Sequence, residues 1–277
     1  MAVIYRRMIL KENRFNFVTT FHAKHDHGKE MVKSWLKNVD HKKTNAVLNV
    51  YYEGDPKELA EEVGWTDIES ANKHNGFIYI ERYYSDRHRH FKKIFEPHQE
   101  QFVYAKTNSD TYDQQLMFKM DAIRFAHKIF ALDNLMYHFE FSEDMDIPWN
   151  DYVGWIDADT IVHTPIPEKF FDTLIADYSY MSYLSRTMRH SECGFLLFNV
   201  RHPMHKVYWK AMRNMYDRFN LIYEKEWHDS YLFDQVRSKF DQKSFHMIHQ
   251  IDIGDVFGQS VLGQYMTHFK GPQTSGK

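Results

Sequence analysis

An α/β fold with a mostly parallel central sheet flanked by helices is predicted by three features of this 277-residue chain. A strand–helix–strand run opens it. Helical and extended patterns then alternate to its end. One short apolar segment, 152–156, stops abruptly at two aspartates one residue apart. Hydrophobic residues make up 43% of the chain, enough to fill a sizeable core, so global disorder is excluded. No linker rich in Pro, Gly or Ser interrupts the alternation, and 1–277 is read as one domain.

The elements follow in order. Residues 15–21 are rich in β-formers and read as the first strand. Residues 28–39 read as a helix with Met31, Trp35, Leu36 and Val39 on its apolar side. Residues 46–52 read as a buried strand, stopped by Glu53-Gly54-Asp55-Pro56. Such a unit implies parallel pairing and a right-handed crossover. A short strand at 77–80, a basic helix at 87–95 and a loop from 96 to about 112 come next. Leu116, Met120, Ile123, His127 and Phe130 recur at three- and four-residue steps and predict a long helix. Arg124 and Lys128 lie one turn apart on another of its faces. Residues 152–156 suit a central strand buried on both sides. Beyond it, 170–176 reads as helical, 178–184 and 194–200 as strands, 204–216 and 229–240 as helices, and 245–251 as a last strand. The second half therefore carries a small antiparallel addition.

Bulk properties narrow the function. A formal net charge of −3 offers no overall basic field for nucleic acid or an anionic membrane. The one cysteine, Cys193, excludes an internal disulfide framework and fits a reducing compartment. Neither a signal peptide nor a membrane span is legible, which argues for a cytoplasmic enzyme from a bacterium or virus, or for a trimmed chain.

Chemistry concentrates at Ile156-Asp157-Ala158-Asp159-Thr160. In open α/β sheets, ligands bind outside the carboxyl ends of the strands. Two carboxylates placed together there are costly unless charge compensates them. Mn²⁺ or Mg²⁺ suits the task, because hard cations favour carboxylate and phosphate oxygens. Such an ion could bridge a diphosphate and stabilise the charge that builds on it as it leaves. The plain alternative is that both acids cap the next segment or sit in a solvated turn.

At this point the chain resembles the GT-A glycosyltransferases, Rossmann-like enzymes whose hallmark is an apolar strand ending in Asp-x-Asp. Phe17-Val18-Thr19-Thr20-Phe21 resembles their first strand, and Asp121 to Lys128 the helix before the metal strand. Tyr183-Leu184-Ser185-Arg186 and Glu192-Cys193-Gly194-Phe195 are similar to their donor-sugar and acceptor strands. Trp227-His228-Asp229 resembles the acidic motif that opens a late helix, and His268 the late histidine that completes the metal site. Order and spacing match over about residues 15–271.

The resemblance implies metal-dependent transfer of a sugar from a nucleotide-diphosphate donor, UDP-sugar favoured, to a hydroxyl acceptor, a saccharide by default. It implies that Asp159 and His268 hold the metal and that Asp157 touches metal or ribose. Thr20, Phe21 and His22 would frame the base. Arg124, Lys128 and Arg186 would approach the donor phosphates or sugar. Asp229 would be the catalytic base, with Glu192 as its competitor.

Other readings stand beside this one. A haloacid-dehalogenase-like phosphatase also sets two aspartates after an apolar strand, but its Asp-x-Asp is followed by any residue and then Thr, whereas Thr160 follows Asp159 directly. A non-catalytic sugar or nucleic-acid binder is suggested by Arg87-His88-Arg89-His90, Lys92 and Lys93 beside Tyr83, Tyr84 and Phe91. The same run would suit a viral glycosyltransferase acting on hydroxymethylated DNA bases, with salt-sensitive binding; a solvated helix face explains it equally. His22, His25 and His27 read as a polar loop rather than a transition-metal site.

Overall fold

The computed structural model describes residues 12–64, 77–81, 86–107, 118–140 and 149–269. Strand β1 (Glu12–His22) leads into helix α1 (Asp26–Asn38), which His25 caps by accepting from the Gly28 amide at 3.0 Å. The helix buries Met31, Val32 and Trp35. A short helix, α2 (His41–Thr44), leads to strand β2 (Ala46–Glu53), which pairs parallel to β1 with Phe17 opposite Leu48. The predicted opening unit is therefore present. Asp55 caps α3 (Pro56–Glu62), with Pro56 in the first turn, where its missing N–H is no loss. Strand β3 (Phe77–Glu81) extends the sheet in parallel to β2.

Helices α4 (Asp86–Phe95), α5 (Gln99–Thr107) and α6 (Ala122–Glu140) precede strand β4 (Trp149–Ile156). A three-residue strand, β5 (Thr160–Val162), follows directly. Then come β6 (Met181–Arg186), β7 (Glu192–Asn199), α7 (His205–Asp217), α8 (Asp229–Arg237), β8 (Phe245–Ile251), α9 (Val256–Gln259) and β9 (Met266–His268).

The main sheet has seven strands in the order β3-β2-β1-β4-β7-β6-β8. Every pairing is parallel except the two made by β7, so six strands run one way and β7 runs against them. The antiparallel pair β5–β9 forms a separate small sheet.

β4 sits fourth of the seven, and its side chains alternate between two cores. Tyr152 and Ile156 join the core on the α1 side, whereas Val153 and Trp155 join the core on the α6 side. Burial on both faces is why the segment is wholly apolar. Each buried Val or Ile of this kind stabilises the fold by about 1.5–3 kcal/mol.

Several boundaries depart from expectation. The stretch predicted as a loop holds a 3₁₀ turn (Glu96–His98) and then α5; its remainder, from 108, lies outside the described residues, as does Leu116. The helix expected at 170–176 is a single 3₁₀ turn, Phe171–Leu174.

The basic run also turns partly inward. His88, 2% exposed, stacks on Phe130 with ring centroids 4.8 Å apart. Arg87 pairs with Asp133 and Asp217, and Phe91 is buried. No continuous basic and aromatic face forms among the described residues of α4, while Tyr83 and Tyr84 lie outside them. No helix among the described residues is long and apolar enough to cross a membrane.

Candidate active site

β4 ends at Ile156, and Asp157 continues its ladder by donating its amide to the Gly194 carbonyl of β7 at 3.0 Å. The indole N–H of Trp155 donates to Asp157 Oδ1. The chain then turns: the Thr160 amide donates to the Asp157 carbonyl at 3.0 Å, and β5 begins. β5 pairs with β9 so that Thr160 lies opposite His268, and the Phe269 amide donates to the Asp159 carbonyl at 2.9 Å. This small sheet is what carries a histidine from the far end of the chain to the two aspartates.

His268 Nε2 stands 3.3 Å from Asp157 Oδ2 and 3.1 Å from Asp159 Oδ1. One ligand atom from each of the three residues lies within 4.8 Å of the others. Asp159 Oδ1 is buried and makes no hydrogen bond, despite its closeness to the imidazole. Burial alone would lower the His268 pKa, but the two aspartates and the Glu192 charge outweigh it and hold the ring at about 10. The cluster therefore attracts positive charge, and without a cation a proton supplies it. A buried carboxylate oxygen, a second carboxylate and an imidazole fit a divalent ion.

That protonated ring has a pH signature. A raised histidine contributes stability in full below its ordinary value of 6.5 and loses it as pH rises through about 10. A metal must displace the same proton, so Mn²⁺ affinity is expected to rise by up to about tenfold per pH unit across that window. Mn²⁺ titrations at two pH values check this; a flat response would mean that no proton is displaced.

Room for His268 depends on Gly194. A Cβ there would stand 2.6 Å from His268 Cε1 and 2.8 Å from its Nδ1. Gly194→Ala is expected to push the ring aside and weaken Mn²⁺ binding by about 10–100-fold, the range typical for disturbed ligand support. Isothermal titration reads the affinity, and circular dichroism checks that the fold survives.

Lys128 links this cluster to the next. It is 5% exposed on α6, with its ammonium 3.2 Å from Asp157 Oδ1, paired to Asp229, donating to the Cys193 carbonyl at 2.8 Å and 4.8 Å from the Trp155 ring centroid. Burial lowers its proton affinity, but the charges of Asp157 and Asp229 overcome this, and it stays cationic. Burial would raise the Asp157 carboxyl, yet Lys128 and His268 hold it well below the usual range. Asp229 opens α8, where its Oδ1 accepts from the Ser230 amide at 2.8 Å, and the helix dipole favours its charge.

Glu192 and Arg186 pair across the β6–β7 edge, where the register shifts between Tyr183 and Leu184. Such irregularities re-aim side chains at a sheet's rim. Glu192 Oε1 accepts from the Gly194 amide at 3.1 Å and lies 3.8 Å from His268 Nδ1.

Seven sequence-predicted residues thus converge: Lys128, Asp157, Asp159, Arg186, Glu192, Asp229 and His268. Thr20 and His22 leave the same end of the sheet, since β1 runs beside β4 with Val18 opposite Trp155. The Thr20 hydroxyl is buried without a hydrogen-bond partner. For Phe21 the sequence leaves two readings, stacking on the base or filling the core; it is 2% exposed, meets Tyr52 edge-on and fills the space beside Gly28, as the core reading has it. Arg124 departs from expectation. It is exposed, with its guanidinium 5.3 Å from the Phe118 ring centroid.

His22, His25 and His27 have separate local uses, as the polar-loop reading implies. His22 accepts from the Lys24 amide, His25 caps α1, and His27 stacks on Phe269. Sequence reasoning missed Trp155 and the spatial role of Gly194, and it did not see that Lys128 is enclosed. The signal for Lys128 was its setting: an isolated cation between Phe125-Ala126 and Ile129-Phe130, where apolar residues leave no solvated face.

No family model matches the sequence, and no curated protein is detectably similar to it. Solved structures do match. Core-mannan synthase A of Aspergillus fumigatus, in its Mn/GDP form, is 9% identical with a TM-score of 0.53, over 85% of this chain and 73% of that one. The bifunctional glycosyltransferase WbbM is 10% identical with a TM-score of 0.50, over 98% of this chain and 47% of WbbM. The apo form of the glycosyltransferase GlyE of Streptococcus pneumoniae is 12% identical with a TM-score of 0.44, over 85% of this chain and 45% of GlyE. The chain spans less than half the length of the last two. On the two matches with a TM-score of 0.50 or more, this chain has the fold of the GT-A glycosyltransferases.

Proposed function

We propose that this protein is a metal-dependent glycosyltransferase that moves a sugar from a nucleotide-diphosphate donor, with UDP favoured, to a hydroxyl acceptor, a saccharide by default. The observation that carries the reading is the meeting of Asp157, Asp159 and His268 at the carboxyl edge of the sheet, joined through Lys128 to Asp229. Asp159 and His268 would hold Mn²⁺ or Mg²⁺ directly, with Asp157 beside them. When bound, the ion would supply Lewis-acid neutralisation of the donor diphosphate.

The chain's own groups divide the remaining work. Lys128 fixes Asp157 and Asp229 in one frame, so donor side and acceptor side keep their spacing. Thr20, near the end of β1, would help to frame the base; its hydroxyl is buried and makes no hydrogen bond. Glu192 has one oxygen on Arg186 and the other on the Gly194 amide, which suits positioning better than proton transfer. Asp229 is therefore the base in this reading. It stands paired with Lys128 in the first turn of α8, where a base would face the acceptor hydroxyl.

Two measurements test the reading. Thermal melting against nucleoside diphosphates and nucleotide sugars should rise with one nucleotide family, and only with Mn²⁺ present. No rise with any nucleotide, in folded protein, would remove the proposal. Asp229→Asn is expected to keep that rise and lose transfer by about 10²–10⁴-fold, the usual contribution of a general base. Near-normal transfer would take the base role away from Asp229.

A further inference from the structure

A second group of ligating side chains lies just before α8 and takes no part in the reading above. His190 projects from the turn between β6 and β7, and Glu226 and His228 come from the segment that ends at the α8 cap. One ligand atom from each lies within 4.8 Å of the others. His228 Nε2 is 2.7 Å from Glu226 Oε2, and His190 Nε2 faces the same oxygen across 3.7 Å, too far for a hydrogen bond. Glu226 and His228 are 8% and 7% exposed, while the His190 side chain is 40% exposed. Two ligands are thus enclosed and the third guards an open side, where water could complete a coordination sphere.

The outer partners suit a metal centre. Glu226 uses its other oxygen, Oε1, for Lys119 at 3.0 Å, which orients the carboxylate and leaves Oε2 facing the two rings. Behind His190, its Nδ1 lies 3.8 Å from Asp234 Oδ2. Asp234 is itself fixed by the amide and hydroxyl of Ser191 at 2.8 and 2.7 Å and by Arg237 at 3.0 Å. At that distance the Asp234 carboxylate makes no hydrogen bond to the ring and supplies only negative charge beside it. His228 meets one cost: its Nδ1 accepts from the Tyr231 amide, so its Nε2 carries the proton when neutral. On ligation that proton shifts to Nδ1, and the cap bond, already long at 3.4 Å, is given up.

We propose that His190, Glu226 and His228 form a second metal site, selective for a zinc-type transition dication. Two imidazoles and one carboxylate, with an open position, favour such ions over Mg²⁺, whereas the oxygen-rich Asp157–Asp159–His268 group favours hard cations. The ion would tie the segment before Asp229 to the β6–β7 turn and so hold the start of α8 in place. The site stands on its own residues and does not rest on the glycosyltransferase reading.

The test counts Zn²⁺ retained by the full chain in equilibrium dialysis against excess Mg²⁺, for the Asp159→Asn protein with and without His190→Ala. The variant without His190→Ala should retain one more Zn²⁺ than the double variant, whatever Asp159→Asn does at the other site. Cobalt loading should show a visible d–d band that His190→Ala removes, and Glu226→Gln should weaken Zn²⁺ binding at least about tenfold. His190 is partly exposed, so its replacement spares the core, and melting of the zinc-free proteins checks this. Equal Zn²⁺ counts in the two proteins, or no Zn²⁺ in either, would overturn the site. A failed nucleotide response would leave this count unchanged, so the two proposals fail separately.

Discussion

Lys128→Met is expected to lower the free energy of unfolding by about 3–5 kcal/mol, the usual result of removing one partner from a buried ion pair. Methionine keeps the stem's volume and removes only the charge. Asp229, with its side chain 9% exposed, then loses its ammonium and cannot recover much solvation. Asp157 is better placed, because 28% of its side chain reaches water and Trp155 and His268 still face it. Most of the loss should therefore come from Asp229. That apportionment is itself testable: Lys128→Met with Asp229→Asn should recover part of the stability, with a coupling within the range of about 0.5–3 kcal/mol seen for contacting residues. Urea unfolding with an unchanged slope is the measurement. A loss below about 1 kcal/mol would show that water reaches the lysine and that the bridge between Asp157 and Asp229 is not enclosed.

The same residue marks where sequence reading reaches its limit. Periodic spacing placed the long helix and α1, and runs of β-forming or apolar residues placed β1, β2 and β4, because each of these signals is local. The predicted last strand coincides with β8 at both ends. The order of the site motifs along the chain was legible for the same reason: each sits at the end of a local element. What was hidden depends on contacts distant in sequence. The β5–β9 pair has three residues on each side, too short to leave a pattern, yet it brings His268 to Asp159. Lys128 was read from its spacing to Arg124, but α6 turns the lysine inward and leaves the arginine exposed. His88 was read within a charged run, although its ring packs between His127 and Phe130. Helix α5 is not legible in the sequence because 99–107 shows no clear helical stripe and Pro97 just before it signals a break.

The two site clusters are not independent pieces. Lys128 pairs with both Asp157 and Asp229, and Gly194 lies on the same strand as Glu192 and leaves the room that the His268 ring fills. A change at either link should therefore reach both sides, whereas a change at Asp159 should not. Asp159 has a buried oxygen without a hydrogen bond and no ion pair to Lys128 in this structure.

Asp159→Asn accordingly separates chemistry from stability more cleanly than any other substitution at the site. The apo protein should melt no more than slightly below the wild-type temperature, because the His268 ring loses one of its two aspartates while Asp157 still faces it and the shape is kept. Metal-dependent donor binding should vanish, because an amide oxygen is a much poorer ligand for a hard dication than a carboxylate. Loss of Lewis-acid stabilisation worth several kcal/mol corresponds to a fall in transfer of about 10³-fold or more. The reading depends on both halves appearing together. A variant that melts normally but still responds to nucleotide only with Mn²⁺ would show that Asp159 is not a ligand, and would leave Asp157 and His268 to hold the ion. A variant that loses the metal response and also unfolds early would show that Asp159 supports the turn between β4 and β5, and the loss of binding would then carry no weight for the metal. Calorimetric titration of Mn²⁺ beside a urea melt of the same preparation distinguishes the three results.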